Sequence, residues 1–233
     1  MERDQASKFI NDLLRLMVSR GGSDLFVTGE FPPAIKVDGK LTKVSSQPLN
    51  ASHTLTLARA IMNDKQAAEF ERTKECNFAI SPPGIGRFRV NAFMQQGKVG
   101  MVLRVIPAVL PTLDGLGLPP VLKDVVMAKR GLTILVGATG SGKSTTMAAM
   151  LDWRNEQSYG HILTIEDPVE FVHPHKNCVV TQREVGLDTE SWASALKNSM
   201  RQAPDVILMG EIRDRESMDH ALAFAETGHL CLA

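Results

Sequence analysis

Aromatic residues are scarce in this chain: nine Phe, two Trp and one Tyr make up 5% of its 233 positions. Lys and Arg together number 26, the same as Asp and Glu, so there is no excess charge of either sign. A motor or binder of nucleic acid needs a basic, aromatic-laced groove, and these two shortages argue against one. Only three cysteines are present, Cys76, Cys178 and Cys231. They are far apart and form no CxxC pair, which excludes a disulfide framework and reads as reduced thiols of a cytosolic protein. No apolar run approaches bilayer length, and the charged start MERDQ does not read as a signal peptide. The expectation is an intracellular protein without membrane insertion. There is no internal repeat and no low-complexity segment.

A hydrophobic share of 43% over this length provides for one large core or two small ones. Phe9, Ile10, Leu13, Leu14 and Met17 recur at helical spacing, and Gly21-Gly22 ends that helix. SDLFVT (23–28) reads as a strand. IKVDGKLTKV (35–44) reads as a hairpin turning at Asp38-Gly39. Residues 51–72 read as helix broken near Asn63. CNFAI (76–80), RFRVNAFMQ (87–95) and KVGMVLRVI (98–106) read as strands, the last two antiparallel. The expected N-terminal domain, 1–106, is a mixed sheet with helices packed on it. Four prolines and two glycines in 107–120 suit a semi-rigid connection; we place the linker at 107–118.

From 119 the rhythm changes. LTILVG (132–137) reads as a strand buried on both faces, as do HILTIE (161–166), CVVTQ (178–182) and VILMGE (206–211). Helices are expected over about 143–155, 190–202 and 214–226. Strands alternating with helices predict a parallel, helix-covered sheet, and so an α/β chain overall. HLCLA (229–233) starts a further strand at the last residues, and the expectation is a fragment of a longer domain.

Between the first of these strands and the helix after it stands GATGSGKST. Gly137-Ala138-Thr139-Gly140-Ser141-Gly142-Lys143-Ser144 fits G-x-x-x-x-G-K-[ST] throughout. Glycines let backbone N–H groups ring a phosphate, and the N-terminus of the following helix adds positive potential. Lys143 is the candidate for the β- and γ-phosphates, and Ser144 for Mg²⁺. By composition alone the pattern should arise in about one such chain in a hundred, and here it also has the strand–helix context it needs. Hydrolysis also requires a carboxylate near the metal and a group to orient water. Two acidic clusters follow expected parallel strands: Glu166-Asp167, with Glu170 close behind, and Glu211, with Arg213 and Asp214. The plainer roles are a turn at Asp167-Pro168 and a helix cap at Asp214.

These residues resemble a known family. LTIEDPVEF (163–171) looks like the Asp box of the secretion and pilus ATPases, DVILMGEIRD (205–214) like their Walker B segment, and ETGHLCLA (226–233) like the first part of their His box. Together with GRFRVNAF (86–93), the set is similar to the PilT/PilU-type twitching-motility ATPases of type IV pilus retraction. ECNFAI, KRGLTILVGATGSGKST and ALKNSMRQAPDVILMGEIRD look most like the PilU-type members.

The resemblance implies a PAS-like α+β domain followed by a RecA-like P-loop ATPase domain with a mostly parallel sheet, incomplete at the C-terminus. It implies ATP and Mg²⁺, bound by Gly137 to Thr145. It further implies Glu211 as base or water-orienting acid, and Glu166 and Asp167 as helpers with metal and water. Ser144, Asp167 and Glu211 stand on the metal side, and His229 at the γ-phosphate. Arg89 and Arg104 match arginines that reach toward the phosphates, although on neighbouring strands they could instead pair with surface acids. The alternative for His229 is a hydrogen-bonded residue at a strand start. The implied assembly is a homo-hexamer. It works with the type IV pilus inner-membrane platform and a PilT-type ATPase, in the cytoplasm at the inner face of the cytoplasmic membrane, and with no nucleic acid.

The family continues past the His box, and that region has no counterpart in these 233 residues. PilU-type members are held to support a PilT-type partner, so an accessory ATP-binding subunit with little turnover of its own is the rival reading. A small-molecule kinase would need neither the N-terminal domain nor both acidic clusters. The absence of an N-K-x-D segment, taken with the resemblance, points to adenine over guanine.

Overall fold

The computed structural model describes residues 2–107, 109–138 and 140–233. They divide into two compact units, residues 1–106 and 107–233.

The N-terminal unit carries helices α1 (Arg3–Ser19), α2 (Ala51–Ile61) and α3 (Asp64–Thr73). Its strands are β1 (Asp24–Thr28), β2 (Ala34–Val37), β3 (Lys40–Lys43), β4 (Glu75–Ile80), β5 (Arg87–Gln95) and β6 (Lys98–Ile106). The break expected near Asn63 is real: the Asn63 side chain accepts from Gln66 N, and the Gln66 side chain accepts from Asn63 N. This reciprocal pair caps α3 and starts a new helix. The strands form one sheet in the order β3-β2-β1-β6-β5-β4. Every pairing between these strands is antiparallel, so the expected mixed sheet is corrected. Each strand returns beside a neighbour that runs the opposite way, and two-residue turns such as Asp38-Gly39 suffice. Register aligns Ile35, Leu25, Leu103, Val90 and Phe78 across five strands. Period-two alternation puts this row on one face, in a common core with Ile10, Leu14 and Met17 of α1 and Leu57 of α2.

The second unit carries helices α4 (Val121–Met127), α5 (Lys143–Gln157), α6 (Trp192–Ser199) and α7 (Arg215–Glu226). Its strands are β7 (Gly131–Thr133), β8 (His161–Glu166), β9 (Val179–Glu184), β10 (Val206–Met209) and β11 (Leu230–Leu232). They form a parallel sheet in the order β7-β11-β10-β8-β9. Alternation divides β10 between two cores. Val206 and Leu208 pack with Met147, Met150 and Leu151 of α5. Ile207 and Met209 pack with Leu196 of α6 and with Ala221 and Phe224 of α7. Both faces are covered, which is why the strand is apolar throughout.

The expected strand 132–137 is corrected. β7 is only three residues long and, among the described residues, pairs with β11 alone. The backbone pairing ends at Leu135, which donates to Ala233 O. Ile134 is 43% exposed and Val136 91%, so these apolar residues lie outside both cores.

Candidate active site

Parallel strands present their C-terminal tips on one side of a sheet, where ligands of such folds bind. The tips of β8 and β10 meet there because position 210 is glycine. A Cβ at Gly210 would stand 3.3 Å from both Glu166 Cα and Ile165 O. Glu166 ends β8, Asp167 and Glu170 follow it, and Glu211 follows β10. Facing them is the loop before α5. Gly140 and Gly142 take φ of 77° and 94°, left-handed values open to glycine at little cost. Lys143 Nζ donates to Gly137 O (2.8 Å) and Ala138 O (3.0 Å), curling its side chain over the loop. A cavity of about 440 Å³ brings Gly140, Gly142, Lys143, Ser144 and Thr145 together with Glu166, Asp167, Glu170, Gly210 and Glu211. Thr139 lies outside the described residues. Gly137, Ala138 and Ser141 shape the loop but do not line the cavity.

The carboxylates sit in different surroundings. Glu166 is 8% exposed, and its Oε1 accepts from Thr164 Oγ1 (2.6 Å) and Gln182 Nε2 (3.1 Å). Burial raises its pKa, opposed by the hydrogen bonds from Thr164, Gln182 and the Glu170 backbone. Glu211 and Asp167 are more open and share one cation. Arg213 Nε donates to Glu211 Oε1 at 2.6 Å, and Arg213 Nη2 lies 3.3 Å from Asp167 Oδ2. The bond to Glu211 is the largest cause raising the pKa of Arg213. Asp214 caps α7, with its carboxylate accepting from Ser217 N, the plainer of its two expected roles.

His229 does not line this cavity, and Arg89 and Arg104 belong to the other unit. His229 precedes β11, so it stands at the N-terminal end of the sheet, opposite the tips that carry Glu166 and Glu211. Its Nδ1 pairs with Thr227 Oγ1 (3.2 Å) and Phe224 O (3.3 Å). Strand direction fixes which end a flanking residue occupies, so within this chain His229 stands away from the phosphate-loop cavity. Arg89 and Arg104 are direct cross-strand partners in the N-terminal unit. Arg104 Nε donates to Asp24 Oδ1 at 2.7 Å, while Arg89 has no hydrogen-bond or ion-pair partner among the described residues.

Sequence reasoning missed Gln182, Thr164 and His173, since the β8–β9 register pairs the first two and a hydrogen bond from His173 N to Gln182 Oε1 holds the third beside them. Arg213 carried a signal, two positions after Glu211. His173 also lines the cavity, is 8% exposed, and has no hydrogen-bond partner at Nδ1 among the described residues. Burial pushes its pKa down to about 4, with Asp152 opposing and Lys176 assisting. A folded pKa below the unfolded one means that the unfolded chain takes the proton first on acidification. The stability tied to a neutral His173 is therefore complete above pH 6.5 and lost progressively down to about pH 4. The expected loss is on the order of 3 kcal/mol, and it should disappear from urea-unfolding curves of His173→Gln.

The donor set fits a magnesium nucleotide. Mg²⁺ is usually held by one or two carboxylates and substrate phosphates, with water completing the shell. Ser144, Asp167 and Glu211 supply such a partial set, and the glycine loop leaves room for phosphate oxygens. A phosphate loop at a helix start, facing acids on the tips of parallel strands, defines a P-loop α/β protein of the RecA-like ATPase class.

The model of the type II/IV secretion system protein family matches residues 2–233, and the chain belongs to that family. It is 59% identical to the type IV pilus ATPase PilU of Pseudomonas aeruginosa, over 95% of this chain and 58% of that protein. It is 48% identical to the PilT retraction ATPase of the same organism, over 95% of this chain and 64% of that protein. A crystal structure of the pilus retraction motor PilT with bound ADP superposes at a TM-score of 0.91 and 41% identity, covering 96% of this chain and 65% of that one. The chain thus spans about three fifths of the length of these relatives.

Proposed function

We propose that the protein is the ATP-binding and ATP-hydrolysing part of a type IV pilus retraction motor. The observation that carries this reading is the single cavity joining the phosphate loop to Glu166, Asp167 and Glu211, in a chain related along its length to PilU and PilT. Lys143 and the loop backbone hold the phosphates. Ser144, Asp167 and Glu211 would hold Mg²⁺, which when bound neutralises charge on the β- and γ-phosphate oxygens. Glu211, on the open rim, accepts the proton of the attacking water, while Glu166 helps to place it. The working assembly is a homo-hexamer at the cytoplasmic face of the inner-membrane pilus platform, with residues 107–118 as the linker between domains. Among the described residues no helix is long and apolar enough to cross a membrane.

The higher identity to PilU than to PilT favours a second reading, an accessory subunit that turns over ATP only beside a PilT-type partner. Steady-state turnover of MgATP, alone and mixed with a PilT-type ATPase, separates the two. A motor is active by itself, and an accessory subunit gains activity in the mixture. No turnover in either condition removes the hydrolytic reading.

A further inference from the structure

We propose that Gln182 is a positioning residue for Glu166, holding that carboxylate at the rim of the phosphate-loop cavity while pinning the loop that follows β8. The inference rests on the reading of Glu166 as a group that places the attacking water.

The register sets Thr164 beside Gln182 and Glu166 beside Glu184 on parallel strands. Period two therefore projects all four side chains from one face. Glu184 Oε2 accepts from Val169 N at 3.1 Å. Gln182 Oε1 accepts from His173 N at 2.7 Å, and its Nε2 donates to Phe171 O at 2.8 Å. Alternate loop residues 169, 171 and 173 are thus strapped to β9 by side chains in place of a backbone ladder.

The same bonds fix which way the Gln182 amide faces. A backbone N–H can only donate and a backbone carbonyl can only accept. The oxygen must then face His173 and the NH₂ must face Phe171. The second hydrogen of that NH₂ is left for Glu166 Oε1. A flipped amide would set oxygen against the Phe171 carbonyl and the Glu166 carboxylate. The loop geometry therefore commits a donor to Glu166, alongside Thr164 Oγ1 on the same oxygen. Two donors on one oxygen hold the buried carboxylate in one rotamer, and a reacting group must stay within a fraction of an ångström of its productive position.

A double-mutant cycle of Glu166→Gln and Gln182→Met tests this. Three quantities are measured: turnover, affinity for MgADP, and affinity for MgADP with aluminium fluoride, which mimics the transferring phosphoryl group. Gln182→Met is expected to lower turnover and the aluminium fluoride affinity about tenfold to a hundredfold, the range for residues that orient reactive groups through a hydrogen bond. MgADP affinity should stay within about twofold. In the Glu166→Gln background the same change should cost less than about twofold, because its effect passes through Glu166. An equal loss in both backgrounds, or an equal loss of plain MgADP affinity, overturns the proposal and leaves Gln182 as a loop strap. If Glu166→Gln by itself changes nothing, the reading of Glu166 falls and takes the proposal with it. If Glu166→Gln is damaging but Gln182→Met is silent, only the proposal falls. Should Gln182→Met fail to fold, Gln182→Glu keeps the acceptor for His173 N–H, replaces the donor, and is judged in the same cycle by the same criteria.

Discussion

Lys143→Ala removes MgATP binding from the 233-residue chain while leaving it folded. The Lys143 ammonium already bends over the glycine loop to two backbone carbonyls, Gly137 O and Ala138 O. A phosphate arriving in the cradle meets a charged donor that is in place. A hydrogen bond to a charged group is worth about 1.5–3 kcal/mol, and Lys143 offers more than one. The expected loss of affinity is therefore at least about a hundredfold, since each 1.4 kcal/mol is a factor of ten. Lys143 belongs to neither core cluster of the second unit, so the unfolding midpoint should hardly move. Isothermal titration with MgATP, with circular dichroism on both proteins, checks this. Binding by the parent and not by the variant shows that the loop works as built. Failure of both folded proteins to bind shows that these residues do not suffice for the nucleotide.

Glu211→Gln lowers turnover about 10²–10⁴-fold, the usual contribution of a positioned general base, and keeps MgATP affinity within about threefold, because the amide oxygen still offers Mg²⁺ a ligand beside Ser144, Asp167 and the substrate phosphates. The amide retains an acceptor for Arg213, so the contact at 2.6 Å has a replacement, but it cannot take a proton from water. The Glu211 side chain is 43% exposed, and its ion pair with Arg213 is open to solvent. Stability should therefore change by no more than about 0.5 kcal/mol. A fall in kcat with an unchanged dissociation constant marks an interaction made only in the transition state. Unchanged turnover would move the role of base to Glu166, whose raised pKa and burial set it apart from Glu211.

Much of the fold was legible because its signals are local. The phosphate loop is fixed by the spacing of Gly137, Gly142, Lys143 and Ser144 along one stretch of chain. The break at Asn63 and the turn at Asp38-Gly39 are written in neighbouring residues. The apolar runs at β8 and β10 report burial on two faces, and Glu166 and Glu211 follow as strand-tip residues. What failed depended on partners distant in sequence. LTILVG is as apolar as a central strand, yet β7 is three residues long and, among the described residues, pairs with β11 alone. The place of His229, before β11 and at the end of the sheet opposite Glu166 and Glu211, was not legible either, because motif order along the chain carries no information about strand direction relative to the cavity.

The sequence by itself determined the two-part α/β plan, the phosphate loop and the acids that face it. Each rests on a pattern within a few residues, where backbone geometry and side-chain period leave little choice. Tertiary structure alone decided that Glu166 is buried while Glu211 stays open. It also decided that Arg213 bridges Glu211 and Asp167, and that Gln182 holds both Glu166 and the loop at 171–173. The physical reason is that hydrogen-bond partners and burial are set by the register of paired strands and by the layers that cover them. Those are relations between segments, and no single segment contains them.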